Sequence, residues 1–200
     1  MKKIMMMVAV ALMTAMSVNA QSGYEDTKHE IGISYGAMSN TTWMSIGDAM
    51  GTILTFGAVK YSDGNFTGPI AVEYFYHLNP VVGVGAIGAY AKETKDILVA
   101  NENYGEAKNS YVTVMPAAKF NWLRKKYFGL YSKVAAGLTF ASKKEDYSKN
   151  NVENQSESKV GFNFQASALG IEAGSENIRA FVELGVGEQG VALAGIRAKF

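Results

Sequence analysis

The sequence predicts an all-β fold, specifically an eight-stranded antiparallel up-and-down transmembrane β-barrel. Three observations carry that expectation. The chain divides into eight stretches of alternating apolar and polar residues, each of strand length. The connections between them alternate between tight and long, the asymmetry of membrane barrels. Finally, the closing VALAGIRAKF threads Arg197 and Lys199 between apolar residues and stops on an aromatic.

The opening MKKIMMMVAVALMTAMSVNA is expected to be a signal peptide over 1–20. Lys2 and Lys3 supply the basic start, an apolar core follows, and Val18 and Ala20 form a small-residue cleavage site. Its apolar run is short for a membrane-spanning helix. One barrel domain is then expected over 21–200. The absence of cysteine excludes disulfides and lipoprotein modification. A formal charge of +1 gives no reason to expect nucleic acid as a partner. Three prolines and 21 glycines among many aromatic and β-branched residues favour strands. Beyond the leader no apolar run suffices for a helical span, so membrane entry would require a closed barrel, which satisfies every backbone group.

The strands are expected near 29–36, 67–78, 81–92, 110–122, 127–141, 159–171, 178–187 and 190–200. LNPV, LRKK and AGSEN are the tight turns, around 79–80, 123–126 and 173–177. Long polar loops are expected over 36–66, 93–109 and 142–158, whereas the last connection, 187–190, is short. In the fourth strand Val112, Val114, Pro116, Ala118, Phe120 and Trp122 share an apolar face, opposite Tyr111, Thr113, Met115, Ala117, Lys119 and Asn121. In the fifth, Phe128, Leu130, Val134, Ala136, Leu138 and Phe140 oppose Tyr127, Tyr131, Lys133 and Thr139. The seventh sets Ile178, Ala180, Val182, Leu184 and Val186 against Arg179, Phe181 and Glu183. In the eighth, Ala192, Ala194, Ile196, Ala198 and Phe200 oppose Arg197 and Lys199. A soluble sandwich would carry a more uniformly polar second face.

Aromatics on the apolar faces fall into two bands. Tyr76, Phe120, Trp122, Phe128 and Phe200 lie toward the tight turns, and Tyr35, Tyr90, Phe140 and Phe162 toward the other rim. Such bands mark membrane interfaces. With these features the chain resembles the small eight-stranded outer-membrane barrels of Gram-negative bacteria along its whole mature length. GIRAKF is similar to their C-terminal assembly signal, with Gly195, Ala198 and Phe200 at the glycine, apolar and aromatic places. Ala198 is smaller than usual there, and Leu193 stands where a polar residue is common. The resemblance implies an outer-membrane location after export and insertion by the assembly machinery.

The inward residues are expected to include Glu30, Glu73 and Glu183 against Lys119, Lys133, Arg179, Arg197 and Lys199. A barrel of eight strands is just wide enough for side chains to fill, so opposite charges should pair. The expected result is a salt-bridged plug in preference to a narrow gated ion path. Arg179 and Glu183, four apart on one strand, should find partners on neighbouring strands. Parity sends His77 inward and His29 outward, both near the tight turns. With no cysteine and no second histidine on the same face, no metal site is expected. The chain shows no Ser–His–acid set, no phosphate loop and no nucleophile elbow, so no catalytic or cofactor-binding residue is assigned. The segment 40–57 carries Trp43, Ile46, Met50, Ile53 and Leu54 near helical spacing behind Asn40 and Thr41, which suits a short amphipathic lid. The polar stretch 142–159 reads as a solvated loop.

The reading is therefore a monomeric, non-enzymatic outer-membrane barrel with a structural or surface-binding role. Its expected partners are outer-membrane lipid and lipopolysaccharide, the assembly machinery, and an extracellular partner at the loops. Two alternatives stand beside it: an outer-membrane lipid-modifying enzyme, and a soluble periplasmic barrel whose Gly-rich VGVGAIGAY leaves room for a small ligand.

Overall fold

A computed structural model of the chain describes residues 27–39, 59–61, 65–99, 102–147 and 155–200. The expected leader and the expected lid over 40–57 lie outside these residues. The strands are β1 (His29–Ala37), β2 (Val59–Tyr61), β3 (Asn65–His77), β4 (Val82–Val99), β5 (Glu102–Arg124), β6 (Phe128–Tyr147), β7 (Gln155–Gly174), β8 (Ile178–Gly187) and β9 (Ala192–Lys199). All of them except β2 form a closed antiparallel ring in the order β1-β3-β4-β5-β6-β7-β8-β9, with β9 returning to β1. At the seam the amide of His29 donates to the Phe200 carbonyl at 2.8 Å, and the Phe200 amide donates back at 2.9 Å. The short β2 adds to the far end of β4.

The tight turns form where the sequence places them, and side chains hold them. Asn79 Oδ1 accepts from the amides of Val81 and Val82 at 2.9 and 2.8 Å, an Asx-type turn. Ser175 Oγ accepts from the Ile178 amide at 3.0 Å. On the opposite side the short β8–β9 turn folds inward, burying Glu188 and Gln189. Two glycines make this tuck feasible. Gly190 has φ +108°, and a Cβ on Gly36 would sit 1.7 Å from the Gln189 carbonyl oxygen.

The strand lengths correct the sequence reading. The expected loops over 93–109 and 142–158 are largely sheet. Glu93 pairs with Asn109, Lys143 with Asn109 and Glu157, and the ladders run to Val99, Glu102, Tyr147 and Gln155. With about ten residues sufficient for a tilted membrane strand, β4 to β7, at 18 to 23 residues, project far beyond the wall. Tyr127 is also reassigned: it sits in the β5–β6 turn and is exposed, not inward.

Burial is inverted relative to a water-soluble fold. Ile33 (54% exposed), Val134, Leu138, Phe162 and Ile196 face outward, whereas Arg179, Arg197, Lys119, Lys133 and Glu30 are at most 1% exposed. Every outward and inward set expected for β5, β8 and β9 holds, as does that of β6 apart from Tyr127.

Candidate functional site

The lumen holds two unlike clusters. One is apolar and comes from β3, β4, β5 and β6: Ala71, Phe75, Ile87, Ala89, Met115 and Ala135. The Gly-rich β4 is therefore not open space. Ile87 and Ala89 are packed, and the His77 ring occupies the room beside Gly83.

The ionic part of the lumen joins Glu30, Glu172, Glu183, Arg179, Arg197 and Lys199 of β1, β7, β8 and β9 to Glu73, His77, Lys119 and Lys133 reaching in from β3, β5 and β6. Glu30 meets Lys119 Nζ at 2.6 Å and His77 Nε2 at 3.2 Å. Arg197 Nε lies 3.0 Å from Glu30 but is not aligned for a hydrogen bond. Glu73 accepts from Lys133 at 2.8 Å and from Arg197 Nη2 at 2.5 Å. Glu183 takes Lys133 at 2.8 Å, the Tyr131 hydroxyl at 2.7 Å and Ser167 at 2.6 Å. The Tyr131 ring carries Lys119 Nζ 4.1 Å from its centroid, while the Arg197 guanidinium stacks 4.0 Å from the Phe181 centroid. As expected, Glu183 finds these partners on other strands, and Arg179 of β8 reaches Glu172 of β7.

One central member is absent from the sequence expectation. Glu172 accepts from Arg179 and Arg197, each at 2.7 Å, from Lys119 at 3.4 Å, and from Lys199. Strict alternation from Asn163, Gln165 and Ser167 would turn Glu172 outward. A bulge between Ser167 and Leu169 shifts the parity, and β7 continues to Gly174. The break in alternation within SALGIE was the available signal.

A second, mostly uncharged cluster lies nearer the projecting end. Glu188 accepts from Thr113 at 3.0 Å and Asn163 at 2.7 Å, and Thr113 and Thr139 share a 2.6 Å contact. Gln165 Oε1 accepts from the Gln189 amide at 2.8 Å. The inward β8–β9 turn brings Glu188 here, although its sequence neighbourhood reads as an ordinary short loop.

The histidines fall on opposite faces of the wall. His77 is buried against Glu30, whereas His29 is outside, 2.8 Å from the Tyr74 hydroxyl and stacked 5.5 Å from Phe200. Outward aromatics occupy both rims, as expected. Outside the wall, at the tight-turn end, Lys126 and Glu176 form a 2.5 Å exposed pair between two turns. The hydrogen bond to Glu176, reinforced by its charge, raises the Lys126 ammonium above its ordinary value.

Two solved structures are similar in fold. One is Ail, the attachment invasion locus protein of Yersinia pestis: TM-score 0.43, 17% identity, 86% of this chain and 97% of that chain covered. The other is the same protein in complex with the heparin analogue sucrose octasulfate: TM-score 0.43, 16% identity, 86% and 99% covered. No family model and no curated protein matches the chain. The ring closure and inverted burial decide the architecture. It is a closed eight-stranded antiparallel barrel whose apolar face points outward. Chemically, the ionic lumen is a cross-brace: Glu30, Glu73 and Glu172 each hold cations from at least two other strands.

Proposed function

We propose that the chain is a non-enzymatic outer-membrane barrel, exported by the 1–20 leader, with a lumen sealed by its ion pairs and an outer end that makes surface contacts. The inverted burial carries this reading. Apolar side chains on the outside suit lipid tails, and buried charges are tolerable only when densely paired. The filled lumen supports closure over conduction. The separation of His29 from His77 by the wall supports the absence of lipid chemistry.

The register supports contact with lipopolysaccharide at the outer rim. Outward residues of β4 to β7 form rows, and Tyr90, Val112, Phe140 and Val160 are the last apolar row. The next row is Lys92, Ser110, Ser142 and Ser158, followed by Thr94, Lys108, Lys144 and Ser156. Lys108 and Lys144 are direct cross-strand partners, an arrangement that repels unless an anion lies nearby. Lys108 also pairs with Glu106 at 3.0 Å. Glu106 meets only the Lys108 side, and lipid phosphates just above the tail boundary suit Lys144 and Lys92.

Cell fractionation followed by unheated and heated SDS electrophoresis tests the location, and planar-bilayer recording tests closure. A membrane-fraction protein with a heat-dependent mobility and no steady conductance is expected. Recovery from the soluble periplasmic extract overturns the location, and steady unitary currents overturn the sealed lumen. For the rim, K92A/K108A/K144A should weaken association with lipopolysaccharide in vesicles without changing the heat shift. Unchanged association would remove the lipopolysaccharide assignment.

A further inference from the structure

The β5–β6 turn, residues 125–127, is held from inside the barrel. The buried Arg179 donates through Nη2 to the Lys125 carbonyl at 2.7 Å and to the Lys126 carbonyl at 2.8 Å, while its Nη1 is taken by Glu172 at 2.7 Å. The Tyr127 carbonyl accepts from the Gly174 amide at 3.0 Å, and the Lys125 amide closes the hairpin on the Phe128 carbonyl at 2.8 Å. All three turn carbonyls are thus satisfied within the protein.

The remaining amides face the other way. In a trans peptide the N–H points opposite to the carbonyl of the same unit, and none of the described peptide bonds is cis. Two carbonyls drawn to Arg179 therefore turn the amides of Lys126 and Tyr127 away from the lumen. Neither amide has an acceptor among the described residues, and both residues are exposed, so the donors are within reach of a ligand. Successive amides aimed in one direction form an anion-binding concavity. Beside them the Lys125 side chain is exposed and has no ionic partner among the described residues. The Lys126 ammonium is already taken by Glu176 at 2.5 Å, which also neutralises that carboxylate.

We infer that this turn binds the phosphate of an anionic phospholipid in the periplasmic leaflet, an assignment that rests on the outer-membrane reading above. Two amide donors and one free ammonium suit the oxygens of a phosphodiester and repel a metal cation. Depth selects the source. Phe128, an outward aromatic, follows the turn directly, and such rings sit at headgroup level, where phospholipid phosphates lie. A zwitterionic headgroup would bring its own cation against Lys125, so a lipid of net negative charge is preferred. The contact is distinct from the lipopolysaccharide row, which lies at the opposite rim.

The test uses the isotope-labelled chain refolded in dodecyl maltoside, a detergent without phosphate, titrated with dihexanoyl phosphatidylglycerol, dihexanoyl phosphatidylcholine and inorganic phosphate. Saturable shifts of the Lys126 and Tyr127 backbone amides are expected with phosphatidylglycerol, with an apparent dissociation constant of about millimolar order. The amides of the turn at 79–82, at the same end of the barrel, report any general effect of lipid entering the micelle and should move little. Phosphatidylcholine and inorganic phosphate should bind at least about threefold more weakly. Tyr127→Pro removes one donor and should weaken binding at least about tenfold. Lys125→Glu, which leaves the backbone intact, should do the same by setting a like charge against the phosphate. Absence of saturable shifts with phosphatidylglycerol, equal affinity for phosphatidylcholine, tighter binding of inorganic phosphate, or unaltered affinity in Lys125→Glu would each overturn the inference. A parent chain without heat-dependent mobility would instead overturn the barrel reading on which it rests.

Discussion

Arg197 and Glu73 meet at 2.5 Å although 124 positions separate them and β1 runs between their strands. The residue between them is Gly32, the register partner of both. A Cβ there would already lie 3.1 Å from Glu73 Cγ and 3.3 Å from Arg197 Cβ. The bridge therefore crosses a strand because that strand offers no side chain.

Gly32→Leu should force the pair apart and leave two buried charges poorly matched. The expected cost is on the order of 3 kcal/mol or more, read from urea unfolding in micelles or bilayers. Gly32→Ala should cost less, since its methyl group meets contacts of 3.1–3.3 Å that small shifts can relieve.

Glu172→Gln removes the charge shared by Lys119, Arg179, Arg197 and Lys199. Loss of one partner of a buried ionic group costs roughly 3–5 kcal/mol, and unfolding at lower urea concentration should report it. Adding Lys199→Met removes one stranded cation and should recover part of that loss.

The outer wall should respond to depth. Val134 lies midway along β6 between the rim aromatics Phe128 and Phe140, whereas Ser142 is one row beyond Phe140. Val134→Arg should destabilise the bilayer-inserted barrel by about 2–4 kcal/mol, and Ser142→Arg by about 0–1 kcal/mol. Equal costs at both positions would contradict the assigned boundary.

The Lys126–Glu176 pair gives a pH signature. Because the folded Lys126 ammonium titrates above its ordinary range, its contribution is complete below that range and is lost as the pH rises through the raised value. In Glu176→Gln the Lys126 Nζ titration, followed by NMR, should move down. The effect on stability should be small, since the pair is exposed.

The parts of the fold legible in the sequence were those within the lipid belt. There one face must be apolar and the other must fill a narrow lumen, so the faces of β5, β8 and β9 could be read directly from parity. Above the rim the inner face of β4 and β5 is buried largely by polar residues, among them Glu93, Lys95 and Asn109, so no apolar period survives, and 93–109 and 142–158 resemble loops. Glu172 escaped for a different reason, because one bulge reverses the parity of everything after it. Glu188 depends on an inward-folded turn, and local composition does not encode that direction. The Glu30, Glu73 and Glu183 pairings with lysine and arginine were foreseeable in kind, but the partner choices follow from ring closure and register.

Lipid contact on the apolar wall can be measured directly, by recording relaxation of methyl and side-chain signals with the barrel in bilayers carrying a spin label near the acyl-chain ends. Strong broadening of Val134, Leu138 and Ile196, with Lys133 and Arg197 spared, is the predicted pattern. Spared valine, leucine and isoleucine methyl groups, or broadening that reaches the lumen charges equally, would contradict it.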